Sequence, residues 1–272
     1  VELSIASGIL VALCGVGVGI LSAMFGIGGG TVMVPLIHLA FGQPAAVASG
    51  TSLFAILPTS ISGMLARLHD GTIKFRVGIP LGIAGACLSP LGAVAASTLP
   101  GVYAMVLTSC FILFTAYNMF KRVWRSRPAA AASAPVAAKE PGPLAAASGV
   151  RLWVPTVLLG ALVGFISGYV GLGGGFIIVP VLQWAYGFTM KESTGTSLVA
   201  VGILAIPSFI THALLGNVAW VLGLLLIVGS VCGAKAGASI VKRVNDRALT
   251  ALFAVLMVAV GIFMAVQELL AL

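Results

Sequence analysis

A chain of 272 residues that is 60% hydrophobic and 7% charged, with a mean hydropathy of +1.18, lies far outside the range of soluble domains. The net charge of +8 does not mark a nucleic-acid binder, because the 14 lysines and arginines punctuate the ends of apolar runs instead of forming one stripe. Those runs reach the roughly 20 residues a helix needs to cross a bilayer and lack the period-two alternation of a membrane barrel, so the expected class is all-α integral membrane.

The first span is expected from about Leu3 to Phe25. It runs into Gly26-Ile27-Gly28-Gly29-Gly30, where glycines let the backbone leave helical geometry in the middle of an apolar stretch. A short apolar piece, Thr31 to Phe41, follows and is closed by Gly42-Gln43-Pro44. The third element, Ala45 to about Leu68, opens with Ser49-Gly50-Thr51-Ser52 and has Pro58 near its middle. Two further spans are expected over about Val77–Ser97 and Val102–Phe120, separated by Leu99-Pro100-Gly101. Residues 128–150, rich in Ala, Pro, Ser and Gly, read as a disordered cytoplasmic linker.

The same order then recurs: a span Leu152–Val170, the run Gly171-Leu172-Gly173-Gly174-Gly175, and a short piece Phe176–Tyr186. A third element from Lys191 to about Leu214 follows, then spans Val218–Ser239 and Ala248–Leu270. Gly171 minus Gly26 gives an offset of 145, and that offset also sets Ser22 on Ser167, Pro35 on Pro180, Gly50-Thr51-Ser52-Leu53 on Gly195-Thr196-Ser197-Leu198 and Cys87 on Cys232. An ungapped match of this kind predicts two structural repeats of five helical elements each, residues 1–127 and 151–272, joined in one transport domain.

Lysine and arginine favour the cytoplasmic side of short loops. Their clusters, at Arg67, Lys74 and Arg76, at Lys121 to Arg151, at Lys191, and at Lys235 to Arg247, all fit one side if both termini lie on the other. Five elements per repeat then invert the second copy relative to the first. The count leaves open ten crossings or six crossings with two re-entrant hairpins.

Broken helices in lipid are tolerated only where protein or a watery cavity covers the backbone. Paired breaks in matching halves point to a transport site between them. The expected lining is Gly28, Gly29, Gly30, Thr31, Ser49, Thr51 and Ser52 from the first half, with Gly173, Gly174, Gly175, Phe176, Thr194, Thr196 and Ser197 from the second. Backbone N–H groups, helix starts at Thr31 and Phe176 and neutral hydroxyls favour a small anion. His38 and Gln183, opposite each other in the repeat, either face that cavity or bond locally to backbone. Arg67 and His212 read as markers of span ends, and Cys14, Cys87, Cys110 and Cys232 as small core residues.

All six carboxylates fall at span ends or in loops, which argues against a cation carrier. No nucleotide-binding loop, His-Glu-x-x-His motif, paired aspartates or Ser-His arrangement is found, so no cofactor, ATPase partner or catalytic centre is expected. No separate signal peptide is expected ahead of the first span. An intramembrane enzyme lacks residues to carry it, and a non-transporting anchor subunit does not explain matched breaks. A homo-oligomer is compatible with the sequence but not required by it.

Gly-Ile-Gly-Gly-Gly-x-x-x-Val-Pro-Leu at 26–36, its twin at 171–181, and the Ser/Thr-Gly-Thr-Ser-Leu stretches at 49–53 and 194–198 resemble the TauE/SafE family of sulfite exporters. The resemblance covers both halves and leaves out the linker. It implies a bacterial inner-membrane carrier of sulfite, sulfoacetate or related sulfur oxyanions and organosulfonates.

Overall fold

The computed structural model describes residues 5–98, 113, 115–117, 119–121, 142–144, 150–170 and 173–271. Gly171 and Leu172, most of the span expected over 102–120, and most of the linker lie outside the described residues. The helices are α1 (Ile5–Phe25), α2 (Gly30–Pro35) continuing into a π-helical turn (Leu36–Ala40), α3 (Ala45–Arg67) and α4 (Phe75–Thr98). After the linker come α5 (Val150–Val170), α6 (Gly175–Tyr186), α7 (Met190–Leu214), α8 (Trp220–Arg243) and α9 (Asp246–Ala271). This is an all-α, multi-span membrane fold in which six of the described helices are long and apolar enough to cross a bilayer.

The two short helices follow from local chemistry. Each is preceded by a glycine in the left-handed region, Gly29 at φ +89° and Gly174 at φ +71°, which turns the chain without the steric cost a Cβ would bring. At 12 residues α6 extends about 18 Å, well short of a hydrocarbon core of about 30 Å. In α2, Pro35 has no N–H to continue the ladder, and the helix widens into the π-turn at that point. Pro180, its counterpart, lies inside a continuous α6.

Packing joins the two halves of the chain. Ala12, Val16 and Ile20 of α1 lie against Gly229, Gly233 and Gly237 of α8, so these helices run parallel. Leu81, Gly85 and Ser89 of α4 lie against Gly160, Gly164 and Gly168 of α5, also parallel. Between α3 and α7 the order reverses: Phe54 stacks on Phe209 with ring centroids 5.3 Å apart, whereas Gly63 faces Leu198. In lipid no hydrophobic force separates helix from tail, so close approach over glycine and hydroxyl bridges must hold the bundle. Thr59 and Ser230 supply one bridge at 2.6 Å between α3 and α8, and Ser89 and Ser208 another at 2.8 Å between α4 and α7.

Apolar side chains cover the outside of the bundle as well as filling its core. Leu10, Leu13, Leu158, Leu162, Leu224 and Val228 face outward, while Ser22, Thr31, Thr59, Thr194 and Ser197 are buried. Cys87 and Cys232 are exposed and Cys14 is half-buried, which corrects the expectation of core cysteines at these three positions, whose helices turn them toward lipid; Cys110 lies outside the described residues.

At one end of the bundle the charged residues gather. Lys74 pairs with Glu192 at 3.3 Å and Lys242 with Asp70 at 2.9 Å. The Asp246 carboxylate accepts from the N–H groups of Met190 at 2.7 Å and Lys191 at 3.1 Å, tying α9 to the start of α7. Thr189 closes that start with a capping box: its hydroxyl accepts from Glu192 N–H at 3.2 Å, and the Glu192 carboxylate accepts from Thr189 N–H at 3.0 Å. Thr189→Ala is expected to cost about 1 kcal/mol, read as a lower unfolding temperature in detergent; an unchanged midpoint would show the box to be idle.

Candidate functional site

The two glycine breaks touch each other. A Cβ at Gly175 would stand 2.5 Å from the Ile27 Cα, so the first turn of α6 is laid directly on the first break. Gly28, at φ +69°, faces both Val201 and Ile56, and a Cβ at Gly173 would lie 3.0 Å from the Ile56 side chain. Ile56 and Val201 are fully buried at the α3–α7 crossing and are themselves 145 residues apart. The meeting point is therefore framed by Gly28, Gly173, Gly175, Ile27, Ile56 and Val201.

The hydroxyls expected at the site divide into two groups. Thr51 Oγ1 accepts the Ala219 N–H at 2.9 Å, and Thr196 Oγ1 accepts the Lys74 N–H at 3.0 Å, each ordering the chain ahead of a long helix of the bundle. Thr194 donates to the Lys191 carbonyl at 3.2 Å and accepts from Arg67, while Ser197 donates to the Gly26 carbonyl at 2.6 Å. Among the described residues, the hydroxyls of Thr31 and Ser52, each 1% exposed, have no hydrogen-bond partner. Ser49 is half-buried, Gly30 and Phe176 are buried in the first turns of α2 and α6, and Gly29 and Gly174 are their N-caps, with no side-chain cap at either. The helices thus begin one residue earlier than Thr31 and Phe176.

The Thr-Gly-Thr-Ser stretch of the second half packs on the break of the first: a Cβ at Gly26 would run into the Thr194 backbone. Sequence adjacency alone pairs each hydroxyl stretch with its own break, and only the folded chain reveals that the second-half stretch crosses to the first break. His38 and Gln183 are not brought to the meeting point by any hydrogen bond. His38 Nδ1–H donates to the Gln43 carbonyl at 2.7 Å, the local backbone bond, and Gln183 Nε2 donates to Met190 Sδ at 3.0 Å.

Two serines escaped the sequence reading. Ser22 lies beside Gly29, 3.5 Å from its Cβ position, and Ser167 beside Gly174 at 2.7 Å. The Ser22 hydroxyl is buried without a partner among the described residues. Their equivalence at the offset of 145 was the available signal. Ser167 also lines a cavity of about 30 Å³, room for a water or two, in which Ser89, Ser208, Thr211 and His212 sit beside Leu53, Pro90 and Gly173. Among the described residues no group of three or more His, Cys, Asp or Glu side chains could hold a metal ion.

Residues 11–264 match the family profile described as sulfite exporter TauE/SafE. The chain belongs to this family. TauE/SafE proteins are transporters and not enzymes, so this chain is a multi-pass membrane transporter acting on a small transported species within the lipid bilayer. It is similar to the probable membrane transporter protein YunE of Bacillus subtilis, with 24% identity over 93% of this chain and 95% of that one. Similar too are the probable membrane transporter protein YdhB of Bacillus subtilis, 28% identical over 81% and 84%, and one of Methanocaldococcus jannaschii, 26% identical over 94% of each chain. No solved structure matches the chain.

Proposed function

We propose that this TauE/SafE chain is a secondary transporter of small sulfur-containing oxyanions, such as sulfite or organosulfonates, working by alternating access around the meeting point of the two glycine breaks. The observation that carries the reading is the direct contact of the breaks; among the described residues the buried hydroxyls of Thr31 and of Ser22 beside Gly29, and of Ser52 one turn before Ile56 on α3, lack partners. An unpartnered polar group in a membrane interior is costly unless a ligand or water completes it. The neutral donors and uncapped helix starts suit an anion without holding it too tightly. Sulfur chemistry comes from the family description.

Inverted repeats give the site its two faces. Gly15 meets Leu226 as Gly160 meets Leu81, and Gly19 meets Ser230 as Gly164 meets Gly85, with every equivalent pair 145 apart. Equivalent helices α3 and α7 run antiparallel at their crossing, as an inverted pair requires. In this reading the end carrying Lys74, Lys191 and Lys242 is cytoplasmic, both termini are external, and the protein sits in the inner membrane.

Counterflow in proteoliposomes with sulfite, sulfate, thiosulfate, sulfoacetate and carboxylates tests the substrate class. Uptake of the sulfur oxyanions is expected; a protein that moves carboxylates alone, or nothing, would sink it. Ser52→Ala and Ser197→Ala separate function from structure. Ser197 holds the Gly26 carbonyl, so its loss is expected to destabilise by about 1–3 kcal/mol. Ser52 has no partner to lose among the described residues, so Ser52→Ala keeps its unfolding temperature and slows transport. Equal transport by Ser52→Ala and wild type would remove that hydroxyl from the site.

A further inference from the structure

Arg67 and His212 occupy equivalent positions, 145 residues apart, in the last turns of α3 and α7. Neither is the bare span-end marker its position suggests. Arg67 is 1% exposed; its Nη1 donates to Thr194 Oγ1 at 2.8 Å and to the Ala23 carbonyl at 3.5 Å, and its Nη2 to the Lys191 carbonyl at 2.6 Å. A guanidinium keeps its charge in proteins, so the basic end of the bundle holds a permanent cation at this register position. The opposite end, about 30 Å along α7 from Lys191, holds an imidazole, whose charge can be switched near neutral pH.

The imidazole is held in place beside the second break. A Cβ at Gly50 would stand 3.0 Å from His212 Cβ, which seats the end of α7 on α3, and the His212 carbonyl accepts the Asn217 N–H at 2.9 Å. The ring Nδ1 is buried and has no partner among the described residues. His212 lines the cavity of about 30 Å³ shared with Gly173, Ser89, Ser167 and Ser208, a space for a water or two and not for an oxyanion. The Ser89–Ser208 bond at 2.8 Å uses one of two hydroxyl protons, which leaves the other for such a water. At the basic end the counterparts of Ser208 and Leu53 close on each other: the Leu198 side chain lies 3.1 Å from the Cβ position of Gly63.

Among the described residues no charged group faces this ring. α3 brings Gly50 and Leu53 to it, α4 Ser89 and Pro90, α5 Ser167, and the break Gly173, none of them ionisable. The titratable side chains closest in sequence to this lining are engaged elsewhere: Tyr169 lies on Phe165 with ring centroids 6.5 Å apart, and Cys87 is exposed.

We propose that the His212 imidazole, with water in its cavity, is a proton-binding site linked to anion occupancy of the adjacent second break. The proposal rests on the anion-transport reading for its ligand. A proton from water at the outer end adds to the ring nitrogen that lacks one, and the imidazolium then offsets the charge of an anion arriving at Gly173; no bond of the anion changes. The linkage is reciprocal: a bound anion favours protonation of the ring by the same factor by which protonation tightens the anion.

The test uses the full-length protein in nanodiscs, with binding of radiolabelled sulfate and methanesulfonate at about pH 6 and about pH 8, a range in which neither anion titrates but a histidine does. Wild-type Kd is expected to be several-fold lower at the acidic pH, and His212→Gln to lose that difference. A purely structural His212 would instead give a less stable variant whose Kd keeps the wild-type pH dependence. The chain has only three histidines, His38, His69 and His212, so hydrogen exchange at each imidazole carbon, read by mass spectrometry, follows His212 separately in the unaltered protein. Saturating anion is expected to raise the His212 midpoint and leave the other two in place; this decides the matter if His212→Gln does not fold. A wild-type Kd that is the same within about twofold at both pH values, or a His212 midpoint that stays put or moves together with all three histidines, overturns the site. Counterflow is run in parallel: anion counterflow with pH-independent binding removes the proton site and keeps the transport reading, whereas no binding and no counterflow removes both.

Discussion

Leucine at Gly28 or at Gly173 is expected to abolish counterflow in proteoliposomes while the protein still reaches the membrane. Both glycines have positive φ, +69° and +76°, where an L side chain costs about 1–2 kcal/mol. Gly28 already faces Val201 and Ile56, and Gly173 stands 3.0 Å from Ile56 by its Cβ position, so a leucine must push into the contact between the breaks. Overpacking adds about 1–3 kcal/mol. If transport requires the breaks to part and re-form, the combined cost corresponds to a rate loss of about a hundredfold or more. Retention of more than half the wild-type rate by both variants would place the pathway elsewhere.

The second large effect concerns assembly. Leucine at Gly19 or Gly164 is expected to eliminate the folded protein, seen as loss of the monodisperse peak in detergent size-exclusion chromatography. A Cβ at Gly19 would run into the Ser230 backbone, and one at Gly164 into the backbone of Gly85. Main chain faces main chain across both seams, so no flexible side chain can give way. These seams tie α1 to α8 and α4 to α5, and in lipid no hydrophobic force compensates for their separation. Gly17 is the control: no described residue lies within 4 Å of its Cβ position, and Gly17→Ala is expected to be neutral or slightly stabilising. Normal elution of Gly164→Leu would mean that the α4–α5 seam is not what holds the bundle.

Much of the architecture was legible because it depends on neighbours along the chain. Apolar length gave the spans, and observed ends such as Phe25, Tyr186 and Leu214 coincide with the expected ones. Helix α8 runs on to Arg243, past the expected Ser239, because its polar last turn remains helical beyond the apolar run. Glycine runs gave the breaks, since only a residue without a Cβ turns the backbone at +89° at little cost. The site's polar chemistry was less legible. Thr51 and Thr196 look like Ser52 and Thr31 in the sequence, yet the first two are engaged by backbone N–H groups and the last two have no partner among the described residues.

The sequence by itself determined the membrane class, the offset of 145 and the positions of the two breaks, because periodicity and backbone freedom are local properties. The tertiary structure decided that α1 seats on α8 and α4 on α5, that each described break meets the opposite half, and that Arg67 is buried against uncharged hydrogen-bond acceptors. Those outcomes depend on which atoms stand across a seam from one another, and a hydroxyl or guanidinium is satisfied or left open only by what the other half of the chain brings to it.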